Sequence, residues 1–257
     1  MNAKELISND VFSCIASFIE HTSSEDYCEH LAFSYAFNPV TDHVMTTSSN
    51  LFDLKKAAAI YFWYKFGKKE DTFITKYFDE YAHCIDETHE QFNSNYGYYA
   101  YTECLLKRCI DYLVEDQQTR QACFCINNND AMSESSIDKL CTNAIHFFIR
   151  NNRLEMVIQM RSSNILTLLP YDVFMFTVFY QHVYFALRFL NNIQINTGMI
   201  NVQVASLHLY KSDLCKYKLL DKANPERLIE DFSDKEWQNK LERKLLKALQ
   251  KDESSKM

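Results

Sequence analysis

The chain has 257 residues, 47% hydrophobic, 24% charged and 14% aromatic, with three glycines, three prolines and a formal net charge of −7. So much apolar material with so little flexible punctuation excludes collagen-like, disordered and disulfide-dense small scaffolds. No Gly/Ser/Pro-rich linker interrupts it, so one compact domain is expected over 1–232, followed by an amphipathic helix and tail over 233–257.

The acidic balance argues against direct nucleic-acid binding, because phosphates require a net basic face, but it allows a local basic pocket for one nucleotide. Nine cysteines are an odd number, and residues 1–10 lack the basic start and apolar run of a signal peptide, which points to a reducing, cytoplasmic setting. Cys123 and Cys125 are too closely spaced for a four-cysteine zinc site and have no partner pair at metal-ligand spacing, so no metal is expected.

No internal repeat is visible, which speaks against solenoids and propellers. In chain order, the N-terminal third reads as mainly helical. Residues 50–65 place Leu54, Ala57, Ala58, Tyr61 and Phe62 on one side at helical spacing, and 102–113 continue that character. The periodicity then changes. Residues 122–126 predict a strand, and 144–160 predict two strands joined at Asn151-Asn152, residue types that accept the positive φ of a tight hairpin. Residues 165–190 are long and apolar enough to cross a bilayer, but Pro170, Asp172, Gln181, His182 and Arg188 suit hydrocarbon poorly. A buried helix over 169–190 and no membrane span are therefore expected. A strand follows over 202–210. Residues 234–250 repeat Trp237, Leu241, Leu245 and Leu249 every four positions, an amphipathic helix with Ser233 placed to cap it. That helix docks on the body or, alternatively, binds a protein partner. Helices followed by a hairpin-containing sheet with one long helix against it argue for an α+β fold.

Three polar clusters stand among the apolar elements. In 138–143, Cys141 lies at the entry to a strand, a place where a small core residue is as natural as a nucleophile. In 160–164, Arg161 offers a planar donor fork beside Ser162, a combination suited to phosphate; Asp172 follows in the first turn of the apolar helix, where an acid also serves as a cap. In 206–210, Ser206, His208 and Tyr210 share one face of a strand, and such a face calls for a ligand or water.

Together these motifs resemble the thymidylate synthase superfamily, and more closely its phage deoxycytidylate hydroxymethylase branch. The matching text is Asn-Ser-Asn-Tyr-Gly at 93–97, Thr119-Arg120, Leu-Cys-Thr-Asn at 140–143 with the hairpin after Ile149-Arg150, Met-Arg-Ser at 160–162, Leu-Pro-Tyr-Asp at 169–172 and Ser-Leu-His-Leu-Tyr at 206–210. The order and approximate spacing are the family's across 93–212, with a weaker match upstream. The resemblance implies an α+β homodimer with large sheets packed back to back, each active site taking Arg120 from the other subunit. It implies Cys141 as the nucleophile that adds to C6 of a pyrimidine, since a thiolate both attacks and leaves readily. Arg161 and Ser162 would hold the phosphate, His208 and Tyr210 the sugar hydroxyl, with Asn143 and Ser206 also on the substrate. Tyr96 matches an aromatic residue of the catalytic pocket.

Asp172 distinguishes the branches. Thymidylate synthases carry asparagine there; an aspartate faces the exocyclic amine of cytosine, whereas its carboxylate would oppose oxygen 4 of uracil. The implied substrate is dCMP and the implied cofactor 5,10-methylenetetrahydrofolate, with Asn164 at the pterin-binding position. Three departures fall on the cofactor half. Ile60 stands where the family relays protons through a glutamate, Asn164 replaces its aspartate, and Leu168 replaces a glycine. Glu70, Asp79 and Glu80 follow Ile60 without the motif's spacing, and a charged helix takes the place of the short C-terminal tail. Two readings result: a dCMP hydroxymethylase-like one-carbon transferase, or a divergent member that binds a pyrimidine nucleotide without folate chemistry as a sensor or interaction protein.

Overall fold

The computed structural model describes residues 27–40, 52–82, 84, 91–126, 138–213 and 234–250. Its first element corrects the helical reading of the N-terminal third: β1 (Tyr27–Phe37) is a strand. The signal lies in Phe33, Tyr35 and Phe37, aromatic residues at period two whose rings follow one another along one face.

Helix α1 (Leu54–Phe66) starts where Asp53 accepts a hydrogen bond from the Lys55 N–H at 2.7 Å and stops at Gly67, whose φ of 59° is left-handed. It is more than a one-sided helix, because every residue from Ala57 to Tyr64 is buried. A 3₁₀ turn (Thr72–Lys76) and a one-turn helix α2 (Asp79–Ala82) follow. The helix expected over 102–113 begins later, as α3 (Leu105–Glu115), because a π-helical turn at Tyr98–Thr102 and a left-handed Cys104 (φ 57°) precede it.

The remaining strands are β2 (Cys123–Cys125), β3 (Thr142–Arg150), β4 (Arg153–Asn164) and β5 (Asn196–Tyr210). They form one sheet in the order β1-β5-β4-β3-β2, antiparallel except between β5 and β4. Asn151 and Asn152 both take positive φ, as the β3–β4 hairpin requires. The parallel pair is joined by α4 (Leu169–Phe185), which continues as a π-helical turn to Leu190. This stretch is long and apolar enough to cross a bilayer, yet it lies mostly inside the fold. Tyr180 ties it to the sheet, donating to the Leu154 carbonyl and accepting from the Gly198 N–H, both at 2.8 Å.

The sheet bends along one line. Ala32 in β1 has φ 55°, the β3–β4 register slips between Thr142 and Ala144, and the alternation of buried residues changes parity after Met160 in β4 and after Val204 in β5. The irregularities stand side by side across four strands, so they act as stacked bulges that re-aim the side chains beyond them.

The terminal helix is α5 (Trp237–Gln250), and its apolar stripe is covered: Trp237, Leu241, Leu245 and Ala248 are buried. It docks on α1, where Glu242 accepts from Tyr61 Oη at 2.8 Å and Lys65 Nζ at 2.6 Å. Ser233 lies outside the described residues; Asp234 accepts from the Glu236 N–H at 2.9 Å just before the helix.

Beneath α5 sits His182. The Tyr101 hydroxyl lies 2.7 Å from its Nδ1, the Trp237 ring is against it at 5.0 Å, and Gln238, Glu242 and Lys65 also face it. Burial pushes the imidazole down to about 4. Because the folded state resists the proton that the unfolded chain accepts near 6.5, His182 contributes stability above that pH and loses it as the pH falls through 4. Asp172 has the opposite sign, its carboxyl being pushed up to about 7 by burial. The expected result is a steeper loss of melting temperature on acidification from pH 6.5 to 4 in the wild type than in His182→Gln, which retains a side-chain acceptor for Tyr101. Parallel curves would remove His182 as the acid-sensitive element.

Candidate active site

At the bend, Arg161, Ser162 and Ser163 all line one cavity. Three consecutive residues of a regular strand cannot share a face, so the bend is what creates this wall. The cavity, about 330 Å³, lies between the bent sheet and the helices. Cys141 enters from the loop before β3, Tyr96 from the loop before the π-helical turn, and Leu168, Tyr171 and Asp172 from the start of α4. Ile60, Glu80, Tyr81 and Cys84 close the opposite side. The cavity thus brings together Cys141, Tyr96, Asp172, Arg161 and Ser162.

The nucleophile candidate is held by its neighbours' backbone. Arg161 Nε donates to the Leu140 carbonyl at 2.7 Å and an Nη donates to the Lys139 carbonyl at 2.9 Å, while the Arg161 N–H donates to the Cys141 carbonyl at 2.8 Å. These bonds fix the segment that carries the thiol and leave other guanidinium N–H groups for an anion. On the other flank, Tyr96 Oη accepts from the Thr142 N–H at 3.2 Å.

Asp138 completes the frame. Buried at 4% exposure, its Oδ2 accepts from the Ser94 N–H at 2.7 Å and Ser94 Oγ at 2.8 Å, tying the Tyr96 loop to the Cys141 loop. This residue stood in the 138–143 cluster, but the sequence reading gave it no role.

Electrostatically, burial raises the Cys141 thiol to about 11, opposed by the Arg161 guanidinium and reinforced by Asp172 and Asp138. The thiol is therefore protonated at neutral pH before a ligand binds. Burial alone raises Asp172 to about 7, and no hydrogen bond is found to its carboxyl among the described residues. Glu80 Oε2 and Ser163 Oγ, on two of the residues that line the cavity, are buried with no hydrogen-bond partner among the described residues.

Other sequence candidates lie elsewhere. His208 reaches the cavity only through Ser162, its Nδ1 lying 3.2 Å from Ser162 Oγ, and burial lowers its imidazole pKa. Ser206 hydrogen-bonds Glu29, and Tyr210 is exposed with its ring 5.1 Å from that of His208. The shared face of these three points away from the core, which is filled by Leu207 and Leu209. Asn143 sits at the register slip, outside the cavity wall, and its carbonyl accepts from the Ile126 N–H at 2.9 Å. Arg120 lines a separate surface hollow of about 470 Å³, where Arg150 holds the loop by donating to the carbonyls of Gln118 at 3.2 Å and Thr119 at 3.1 Å.

Asn164 is not among the residues that line the cavity. Its Nδ2 donates to Asp213 at 2.9 Å and its Oδ1 accepts from the N–H groups of Leu166 at 3.0 Å and Thr167 at 3.1 Å, so the side chain is spent on the turn into α4. Leu168 does line the cavity, as does Ile60. No protein-family model matches the chain, and no curated protein matches it.

Proposed function

We propose that this chain binds a pyrimidine nucleoside monophosphate, dCMP in preference, and adds Cys141 to C6 of the base as the first step of a substitution at C5. The observation that carries the reading is the convergence of a thiol, an unpartnered carboxyl and an arginine-serine pair on one cavity. Arg161 and Ser162 take the phosphate, and Asp172 takes the Watson–Crick edge of the base.

In the addition, sulfur bonds to C6, the C5=C6 pair shifts to join C5 and C4, and the C4=N3 pair accepts a proton at N3. The net movement is one proton from sulfur to N3. Asp172 is suited to both ends of that transfer: its neutral form gives a proton to N3, and the resulting carboxylate regains one from the thiol. No proton or electron is left over. C5 is then an enamine carbon able to attack an electrophile. The resemblance implies a one-carbon donor for that attack, hence a dCMP hydroxymethylase-like transferase acting as a homodimer, with Arg120 supplied by a second copy seated on the outward face of the sheet. That face holds half-buried Phe148, Val157 and Met199.

A second reading has its own support. Ile60 and Leu168 in the cavity wall and the committed Asn164 favour a family member that binds the nucleotide without folate chemistry. Tritium release from C5-labelled dCMP, with and without methylenetetrahydrofolate, separates the two. Folate-dependent release supports the transferase; tight dCMP binding with no release supports the binding protein; absence of dCMP binding overturns both.

Asp172 also sets an expected pH dependence. Its neutral form pairs with either base, donating to N3 of cytosine or O4 of uracil, while its carboxylate sets an acceptor against N3 of the one and O4 of the other. Affinity for both nucleotides should therefore fall as the pH rises through about 7. In Asp172→Asn that dependence should disappear and the dCMP/dUMP ratio should shift toward dUMP, as read by calorimetric titration of both nucleotides. An unchanged ratio in that variant would refute the role given to Asp172.

A further inference from the structure

The edge of the sheet carries a reactive group that the cavity chemistry does not use. In β2, Phe124 is buried while Cys123 is half-buried and Cys125 exposed, so the two thiols share the outer face two residues apart. Cys123 stands opposite His146 of β3, with its Sγ 3.6 Å from His146 Nε2, and it is also in hydrogen-bond contact with the Cys125 thiol. Sulfur, sulfur and imidazole therefore form one contiguous group at the surface. Core packing does not account for it, in contrast to Cys109 of α3, which is 1% exposed.

Position within the group assigns the roles. Solvent reaches Cys125 before Cys123, so a dissolved oxidant meets Cys125 first. Cys123 is protonated at neutral pH, since burial, reinforced by the neighbouring Cys125 thiol, pushes it up to about 11. Burial lowers His146, so its ring is neutral and able to take a proton from the adjacent sulfur. The strand can also adapt. Same-face Cβ atoms of an extended strand are about 6.6 Å apart, whereas a disulfide brings them to about 4 Å. With three residues and only β3 as a neighbour, β2 is free to bend and close that gap, and a bond made under strain is readily reduced again.

We infer that Cys123 and Cys125 form a reversible dithiol–disulfide site whose oxidant is a hydroperoxide, with Cys125 as the peroxide-reactive thiol, Cys123 as the resolving thiol and His146 as its proton acceptor. The Cys125 sulfur displaces water or an alcohol from the peroxide and becomes a sulfenic acid. The Cys123 sulfur then bonds to it, the S–O bond breaks, and the oxygen leaves as water with the proton that His146 took from Cys123. The two thiols together lose two electrons, the peroxide gains two, and no proton is left over. The inference goes beyond the nucleotide reading and does not rest on it.

The test is treatment of the full chain with hydrogen peroxide, followed by alkylation and tryptic mapping, in which both cysteines fall in the peptide 121–139. The expected result is a peptide two hydrogens lighter and closed to alkylation, restored by glutathione. Cys123→Ser should accumulate the Cys125 sulfenic acid, trapped with dimedone, whereas Cys125→Ser should leave Cys123 oxidised about tenfold less. His146→Asn should form the sulfenic acid at the wild-type rate but the disulfide about tenfold or more slowly, a split that a merely structural ring would not produce. An unchanged dithiol peptide, or a bond from Cys123 to Cys109 instead, overturns the inference, and a wild-type disulfide rate in His146→Asn overturns the role of the imidazole. A disulfide rate that falls as protein concentration rises would mark a second copy covering Phe148, whose ring stacks on His146, and would leave the site supported.

Discussion

Replacing Cys141 with serine is expected to cut tritium release from C5 of dCMP by about 1,000-fold or more, while the variant remains folded and still binds the nucleotide. The side chains are nearly equal in size, and the segment is fixed by backbone contacts that do not involve sulfur: Arg161 donates to the carbonyls of Leu140 and Lys139. What changes is the chemistry. A thiol pushed up to about 11 can still lose its proton to a nearby acceptor, whereas a serine hydroxyl is far less acidic and its oxygen a poorer leaving group. Release within tenfold of wild type would mean that sulfur is not the nucleophile. Loss of dCMP binding in the variant, with wild-type binding intact, would give Cys141 a role in recognition rather than in attack.

The elements that sequence reading located best are those whose signal is local. The β3–β4 hairpin was legible in Asn151-Asn152, since few residue pairs accept two consecutive positive φ values. The core helix α4 was legible in its long, mostly apolar run, broken by only a few polar residues. Strand β1 was not located, because its alternating aromatics stand among His30, Leu31 and Ala32, which blur the period, and because its pairing with β5 joins distant parts of the chain. The full burial of α1 was hidden for a related reason: one-sided spacing reveals one packed face, whereas α1 has α5, α4 and two tight turns around it.

The candidate site divides in the same way. Cys141, Arg161, Ser162 and Asp172 were visible as chemically unusual residues, and all four border the cavity. Glu80 was read only as one of three acids that follow Ile60 without the motif's spacing, and Asp138 received no role, since an acid in a short helix or beside a strand has no distinctive spacing; only burial and contacts single them out. Ser206, His208 and Tyr210 were read from period two as pointing at a ligand. None of the three lines the cavity: Ser206 is engaged by Glu29, and His208 stands against Ser162 of the cavity wall. A bulge line cannot be counted from alternation alone, because each bulge resets the count.

Gly97 links fold to site, and Gly97→Ala is expected to destabilise the protein by about 3 kcal/mol or more, lowering the melting temperature by about 10 °C. The cause is space rather than backbone freedom, since the φ of Gly97 is −63°. A Cβ there would lie 2.0 Å from the Tyr64 carbonyl oxygen and 2.2 Å from its Cα, backbone atoms of α1 that cannot rotate away. Relief requires the 93–97 loop to withdraw from α1, where Asn95 Nδ2 donates to the Trp63 carbonyl at 3.2 Å and the Tyr64 and Tyr96 rings lie 5.5 Å apart. Withdrawal pulls Tyr96 from the Thr142 N–H and Ser94 from Asp138, the two contacts that brace the Cys141 segment from this side. Nucleotide chemistry should therefore fall further than the folded fraction alone explains, measured well below the melting temperature. A variant that melts within about 2 °C of wild type would show that the close approach to α1 is dispensable. One that melts low but reacts normally when folded would show that the loop does not brace the nucleophile.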